Sequence, residues 1–201
     1  MDTLKRRIQE DGRILPGKVI KVDGFLNHQL DIALLQEMGE AFHQRFANVE
    51  VDKILTIEAS GIAIAAITAQ SFNVPVVFAK KSESKTLDHE TYTCTVHSYT
   101  KNRSYPVHVA KTFLHENENI LIIDDFLAKG QAVLGLVDIV HQAKANVVGI
   151  GIVIEKGFQD GGKLIREQNL NLHSLAIIDS IEDGVLRFRE SSLSDTKGSS
   201  L

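Results

Sequence analysis

The sequence predicts an α/β protein with a mostly parallel central sheet and helices packed on both of its faces. Three observations carry this. Short apolar runs recur along the chain, at 53–57 (KILTI), 75–79 (PVVFA), 119–123 (NILII) and 147–154 (VVGIGIVI), with stretches of helical spacing between them. The runs are continuously apolar rather than alternating, as expected of strands covered on both sides. Longer alternating stretches occur at 91–99 and 105–110, joined by the polar link 100–104, which reads as an antiparallel hairpin.

In chain order, residues 4–10 are charged and helical in composition, and 18–22 (KVIKV) suits a short strand. Residues 25–30 form a turn region holding Asn27 and His28. From Asp31 to Phe46 the apolar positions Leu34, Leu35, Met38, Ala41, Phe42 and Phe46 follow helical spacing, with Asp31 as the cap. The strand at 53–57 runs into Glu58-Ala59-Ser60-Gly61, and a helix follows over 62–72. After the strand at 75–79, residues 80–90 (KKSESKTLDHE) lack periodicity and read as a mobile loop. The strand at 119–123 leads into Asp124 and Asp125, and a helix covers 130–143. The strand at 147–154, a short helix at 161–168 and a strand at 172–178 complete the sheet, with 185–188 able to pair with the last.

A chain of 201 residues suggests one domain, placed at 1–190, followed by a polar and disordered tail at 191–201 (SSLSDTKGSSL). Net charge is -4, which argues against nucleic acid or a membrane surface as the main partner. Cys94 is the only cysteine, so no intrachain disulfide forms; in its alternating segment it reads as a small hydrophobe. The N-terminal segment lacks the apolar core of a secretory signal, and no apolar run approaches the length that spans a bilayer. A cytoplasmic location is the expectation.

The chemistry is concentrated where the third apolar run, 119–123, meets Asp124 and Asp125. Open parallel sheets bind ligands at the carboxyl ends of their strands, and these carboxylates stand at such an end. Ala128, Lys129, Gly130, Gln131 and Ala132 follow and open a helix, whose first amides and dipole favour an anion. Gly130 lets a phosphate approach the backbone. A ligand with both hydroxyls and a phosphate would match. Read alone, the aspartates could equally be a strand terminus and a helix cap. Glu58 to Gly61 is a second small-residue turn, and Lys80, Lys81 and Lys85 supply cations on a loop that also suits plain solvent exposure. No P-loop, dinucleotide fingerprint or zinc spacing is present.

ILIIDDFLAKGQA, at 120–132, resembles the phosphoribosyl-diphosphate (PRPP) signature of the type I phosphoribosyltransferases, although its loop lacks their usual threonine-glycine-rich ending. Together with FLNHQ (25–29), TIEASGIAIA (56–65), PVVFAKK (75–81) and GIGIVIEKGFQ (149–159), it resembles the xanthine-specific members of the purine branch, over the chain to about residue 190. The resemblance implies their fold, with a small hood built from the N- and C-terminal segments and a flexible loop with its hairpin. It implies transfer of the phosphoribosyl group from PRPP to xanthine, in purine salvage. It implies Asp124 and Asp125 at the ribose as the catalytic pair. Ala128, Lys129, Gly130, Gln131, Ala132, Glu58, Ser60, Gly61 and Lys81 would bind PRPP, and Ile20, Asn27 and Lys156 the purine. Mg²⁺ is expected to arrive with PRPP and pyrophosphate, with no direct protein ligand, and a homodimer is expected. Two rivals stand beside this reading: the same chemistry on guanine, hypoxanthine or adenine, and a non-catalytic PRPP-sensing regulator. Too few residues precede Asn27 for the DNA-binding module such regulators carry.

Overall fold

The computed structural model describes residues 1–81, 90–98 and 103–190. Most of the 80–90 loop and the tail from 191 lie outside the described residues.

The main sheet has six strands in the order β10-β9-β8-β7-β3-β4. These are β3 (Lys53–Ile57), β4 (Val76–Ala79), β7 (Asn119–Leu127), β8 (Asn146–Lys156), β9 (Leu172–Glu182) and β10 (Val185–Phe188). All neighbours are parallel except β9 and β10, which pair antiparallel. The remaining strands form two ribbons. One is β1 (Arg13–Leu15) with β2 (Val19–Lys21), and the other is the hairpin of β5 (Thr91–Ser98) and β6 (Arg103–Ala110).

Each face of the sheet carries its own apolar core, which is why its strands read as unbroken apolar runs. On one face Ile54, Leu121 and Ile123 pack with α1 (Asp2–Asp11), α2 (Ile32–Arg45) and α3 (Ser60–Phe72). Leu4, Leu35, Met38, Phe42 and Ile64 are wholly buried there. Asp31 caps α2 as expected, accepting the Leu34 N–H at 3.2 Å. On the other face Leu55, Ile120, Ile122 and Ile150 pack with α4 (Gln131–Gln142), with Ile165 of α5 (Gly161–Glu167) and with the hairpin. Gly135 of α4 lets the hairpin close on the helix, since a Cβ there would lie 2.8 Å from the Cys94 sulfur. Cys94 is thus a buried filler, its thiol pushed up to about 11 by burial and by Asp138.

Two sequence expectations change, and one strand appears where none was expected. The strand expected at 119–123 runs on to Leu127, because β8 is long enough to keep pairing with it, Asp124 opposite Ile152 and Phe126 opposite Ile154. The turn expected at 25–30 begins earlier, as a π-helical turn over Asp23–Asn27 that buries Phe25 and Leu26. Arg13–Leu15, too short to show a period, pairs with Val19–Lys21 around Pro16, Gly17 and Lys18, the last two with φ of 79° and 58°.

Candidate active site

The chain order of the strands places the site. From β3 the chain crosses to β4 on one side and later returns to β7 on the other. The strand order therefore reverses between β3 and β7, and a crevice opens at their carboxyl ends. β3 stops at Ile57, and its pairing with β7 is recorded only as far as Leu55 opposite Ile122. Beyond that level β7 keeps β8 alone as its partner, and there it carries Asp124 and Asp125.

Both aspartates are buried, 4% and 7% exposed. The Asp125 N–H donates to Asp124 Oδ1 at 3.0 Å. Burial pushes the Asp124 carboxyl well above the ordinary range, the neighbouring Asp125 adds to the rise, and the Asp125 amide and the Lys81 charge oppose it. This site therefore resists a second negative charge until something positive or rich in hydroxyls enters. Facing it is the first turn of α3: a Cβ on Gly61 would sit 3.0 Å from Asp124 Oδ1 and would collide with the Thr56 hydroxyl, which is buried without a hydrogen-bond partner. Only glycine brings the backbone of α3 this close. Glu58, joined to Ala59 by a cis peptide, accepts the Lys81 N–H. The Lys81 ammonium lies 5.4 Å from the centre of the Tyr105 ring.

The second half of the site is the loop from Ala128 to Gly130. Gly130 caps α4 in the left-handed region, φ 82°, a conformation that glycine adopts without strain. The loop lines a cavity of about 440 Å³ together with Phe126, Gln131, Ala132 and Lys156. Gly17 and Val19 of the β1–β2 ribbon and His97 and Tyr105 of the hairpin complete its walls. Lys156 is half-buried; its ammonium donates to the Lys18 carbonyl at 3.3 Å, stands 6.0 Å from the Phe126 ring, and is held below the usual lysine range by burial. A cation at one end and an aromatic wall beside it can take a flat, electron-rich ring.

Comparison with known proteins decides the family. Residues 26–171 match the phosphoribosyl transferase domain. The chain belongs to the phosphoribosyltransferase family. Over 190 residues it is 60% identical to the xanthine phosphoribosyltransferase of Alkaliphilus metalliredigens, covering 94% of each chain. It is 57% identical to that of Ruminiclostridium cellulolyticum, covering 94% of this chain and 100% of the relative. Adenine phosphoribosyltransferase from Thermoanaerobacter pseudethanolicus superposes with a TM-score of 0.72 at 22% identity, over 88% of this chain and 98% of that one, a likeness of fold alone.

Within this phosphoribosyltransferase the residues named from sequence fall into two groups. Asp124 and Gly61 meet across the β3/β7 crevice, where Glu58 holds Lys81. Ala128, Lys129, Gly130, Gln131, Ala132 and Lys156 share the 440 Å³ cavity. Ser60 opens α3. Ile20 is buried in the core beneath the ribbon whose Gly17 and Val19 face the cavity, and Asn27 is exposed at the end of the π-helical turn. The sequence reading did not include Phe126, although an aromatic directly after the paired aspartates was a usable signal. Nor did it include Gly161. Its N–H donates to the Ala128 carbonyl at 3.0 Å, and its missing side chain leaves room for the phosphate loop, a Cβ there falling 2.6 Å from the Gly130 nitrogen.

Proposed function

We propose that the protein transfers the 5-phosphoribosyl group of PRPP to xanthine, giving xanthosine 5′-monophosphate and pyrophosphate. The observation that carries the reaction is the buried aspartate pair standing beside a glycine-capped helix start at the topological switch point. The choice of xanthine rests on the relatives that share most of this chain.

In this reading the 5′-phosphate rests on the amides of Ala128 to Ala132 and meets the positive end of α4. Asp124 and Asp125 accept hydrogen bonds from the ribose hydroxyls. As the C1–O bond breaks, its electron pair leaves with pyrophosphate, and positive charge develops on the sugar beside these two carboxylates. A preorganised group of this kind is worth about 3 kcal/mol in the transition state. A ring nitrogen of xanthine, arriving as the anion with its proton already lost to solvent, then closes the new C1–N bond. Pyrophosphate lies against Glu58, Ser60 and Gly61, within reach of Lys81. Lys156 takes the oxo edge of the purine against Phe126, with Ile20 and Asn27 from the N-terminal segment.

Among the described residues no group of three or more His, Cys, Asp and Glu stands ready to hold a metal. The crevice instead offers two adjoining carboxylates, one of them reluctant to ionise. That fits a cation which arrives on the substrate and keeps oxygen ligands of its own. When bound, Mg²⁺ neutralises the leaving pyrophosphate. A cytoplasmic location follows from the use of a phosphorylated donor, and a homodimer from the family resemblance.

The test is stoichiometric. With PRPP, Mg²⁺ and xanthine, one pyrophosphate should be released for each xanthosine monophosphate found by mass. Asp125→Asn should keep its melting behaviour and lose turnover by about 100-fold. Near-wild-type turnover in that variant would remove Asp125 from the chemistry.

A further inference from the structure

Directly before Lys156, at the end of β8, stands Glu155, 2% exposed and with every carboxylate oxygen engaged. Arg166 of α5 donates to it in a fork, Nη1 to Oε1 at 2.7 Å and Nη2 to Oε2 at 2.8 Å. The Ser174 hydroxyl on β9 donates to Oε2 as well. Burial alone would raise this carboxyl, but the Arg166 and Ser174 hydrogen bonds outweigh it and hold the group below the usual range. Glu155 does not line the 440 Å³ cavity, so it does not meet the substrate there.

What this charge does is visible in the glycine pair that opens α5. A Cβ on Gly162 would collide with Glu155 Oε1 and lie 2.5 Å from Arg166 Nη1, so the helix start is seated on the ion pair. The adjoining Gly161 is seated on the phosphate loop, through its 3.0 Å bond to Ala128 and its contact with Gly130. The two glycines are a spacer with the carboxylate on one side and the loop on the other. Ahead of them, directly after Lys156, Gly157 packs against Asp179 and Arg189, which are themselves paired at 2.6 Å.

We propose that Glu155 is a positioning residue for both substrates: through Arg166 and α5 it fixes the phosphate loop, and through the chain it fixes the neighbouring Lys156. This rests on reading residues 128–132 as the PRPP cradle. A buried pair is weak support for stability, because desolvation offsets its attraction. A fork with matched geometry is strong support for placement.

The experiment is calorimetric titration of PRPP with Mg²⁺ into wild type, Glu155→Gln, Ser174→Ala and Lys53→Met, alongside steady-state kinetics. Glu155→Gln keeps the shape and removes the charge. It should bind PRPP about tenfold more weakly and raise the xanthine KM, with kcat at saturation changed by less than about threefold. Ser174→Ala should give a smaller loss of the same kind. Lys53→Met breaks another partly buried ion pair, from Lys53 at the amino end of β3 to Glu118, and controls for general destabilisation. It should lower the melting temperature and leave PRPP affinity unchanged. Folded Glu155→Gln with wild-type PRPP affinity, or an equal loss in Lys53→Met, would overturn the proposal. Wild type failing to bind PRPP would instead overturn the reading of the cradle.

Discussion

Gly161→Ala tests how the phosphate loop is seated. The backbone of Gly161 lies outside the left-handed region, so alanine is permitted there and the cost is purely one of space. The added methyl would stand 2.6 Å from the Gly130 nitrogen and 2.9 Å from the Lys129 carbonyl carbon, and closer still to the Ala128 oxygen. Ordinary contact begins near 3.4 Å, and all three neighbours are backbone, so the loop must withdraw by about 1 Å to clear the nearest of them. Overpacking of this size costs about 1–3 kcal/mol of stability. Its catalytic cost is larger, because a misplacement near 1 Å at a reacting group can cost about 100-fold. kcat/KM for PRPP should fall by that order. The matched control is Gly149→Ala at the amino end of β8, where a Cβ would press on the Phe46 ring and lie 3.1 Å from Leu121. It should destabilise comparably and leave the PRPP dependence alone. Unchanged kinetics in Gly161→Ala, or equal damage in both variants, would refute the reasoning.

Asp124→Asn should stabilise the fold above neutral pH while losing turnover by about 100-fold or more. The sign follows from the raised carboxyl: its protonated form is the one the fold favours, so its contribution is whole below the unfolded pKa of about 3.9 and is lost as pH climbs through the raised value. Denaturant melts at pH 5 and 8 should show wild type losing more stability than the variant across that interval; a steeper loss in the variant contradicts the account. The same raised carboxyl predicts that Mg²⁺ and PRPP binding releases a proton, read by calorimetry in two buffers of different ionisation enthalpy; uptake of a proton would reverse the electrostatic picture. Lys156→Gln should raise the xanthine KM by about 10- to 100-fold and narrow the margin over adenine. An unchanged xanthine KM would take Lys156 out of the pocket.

The strongest part of the fold to read was also the part with the most local signal. β3, β7 and β8 are buried on both faces, so each is a continuous apolar run, and the Asp124-Asp125 pair interrupts such a run where no core requires it. The far end of β7 was not legible, because its extension to Leu127 depends on β8 staying beside it. Nor was the crevice, since Gly61 and Asp124 are brought together by a crossover that no local pattern encodes. Gly161 and Gly162 look like an ordinary helix start; only the phosphate loop on one side and Glu155 on the other show why neither has a side chain. Ile20 and Asn27 entered through family resemblance, from a segment whose ribbon and π-helical turn are too short to carry a period.

The central claim is tested most directly by competition in one vessel. Xanthine, guanine, hypoxanthine and adenine at equal concentration would be offered to the protein with limiting PRPP and Mg²⁺, and the nucleoside monophosphates resolved by mass. The account predicts that xanthosine monophosphate dominates. Dominance of another product would keep the crevice chemistry and overturn the assignment of Lys156 and Phe126 to xanthine, and no nucleotide from any base would contradict the transferase itself.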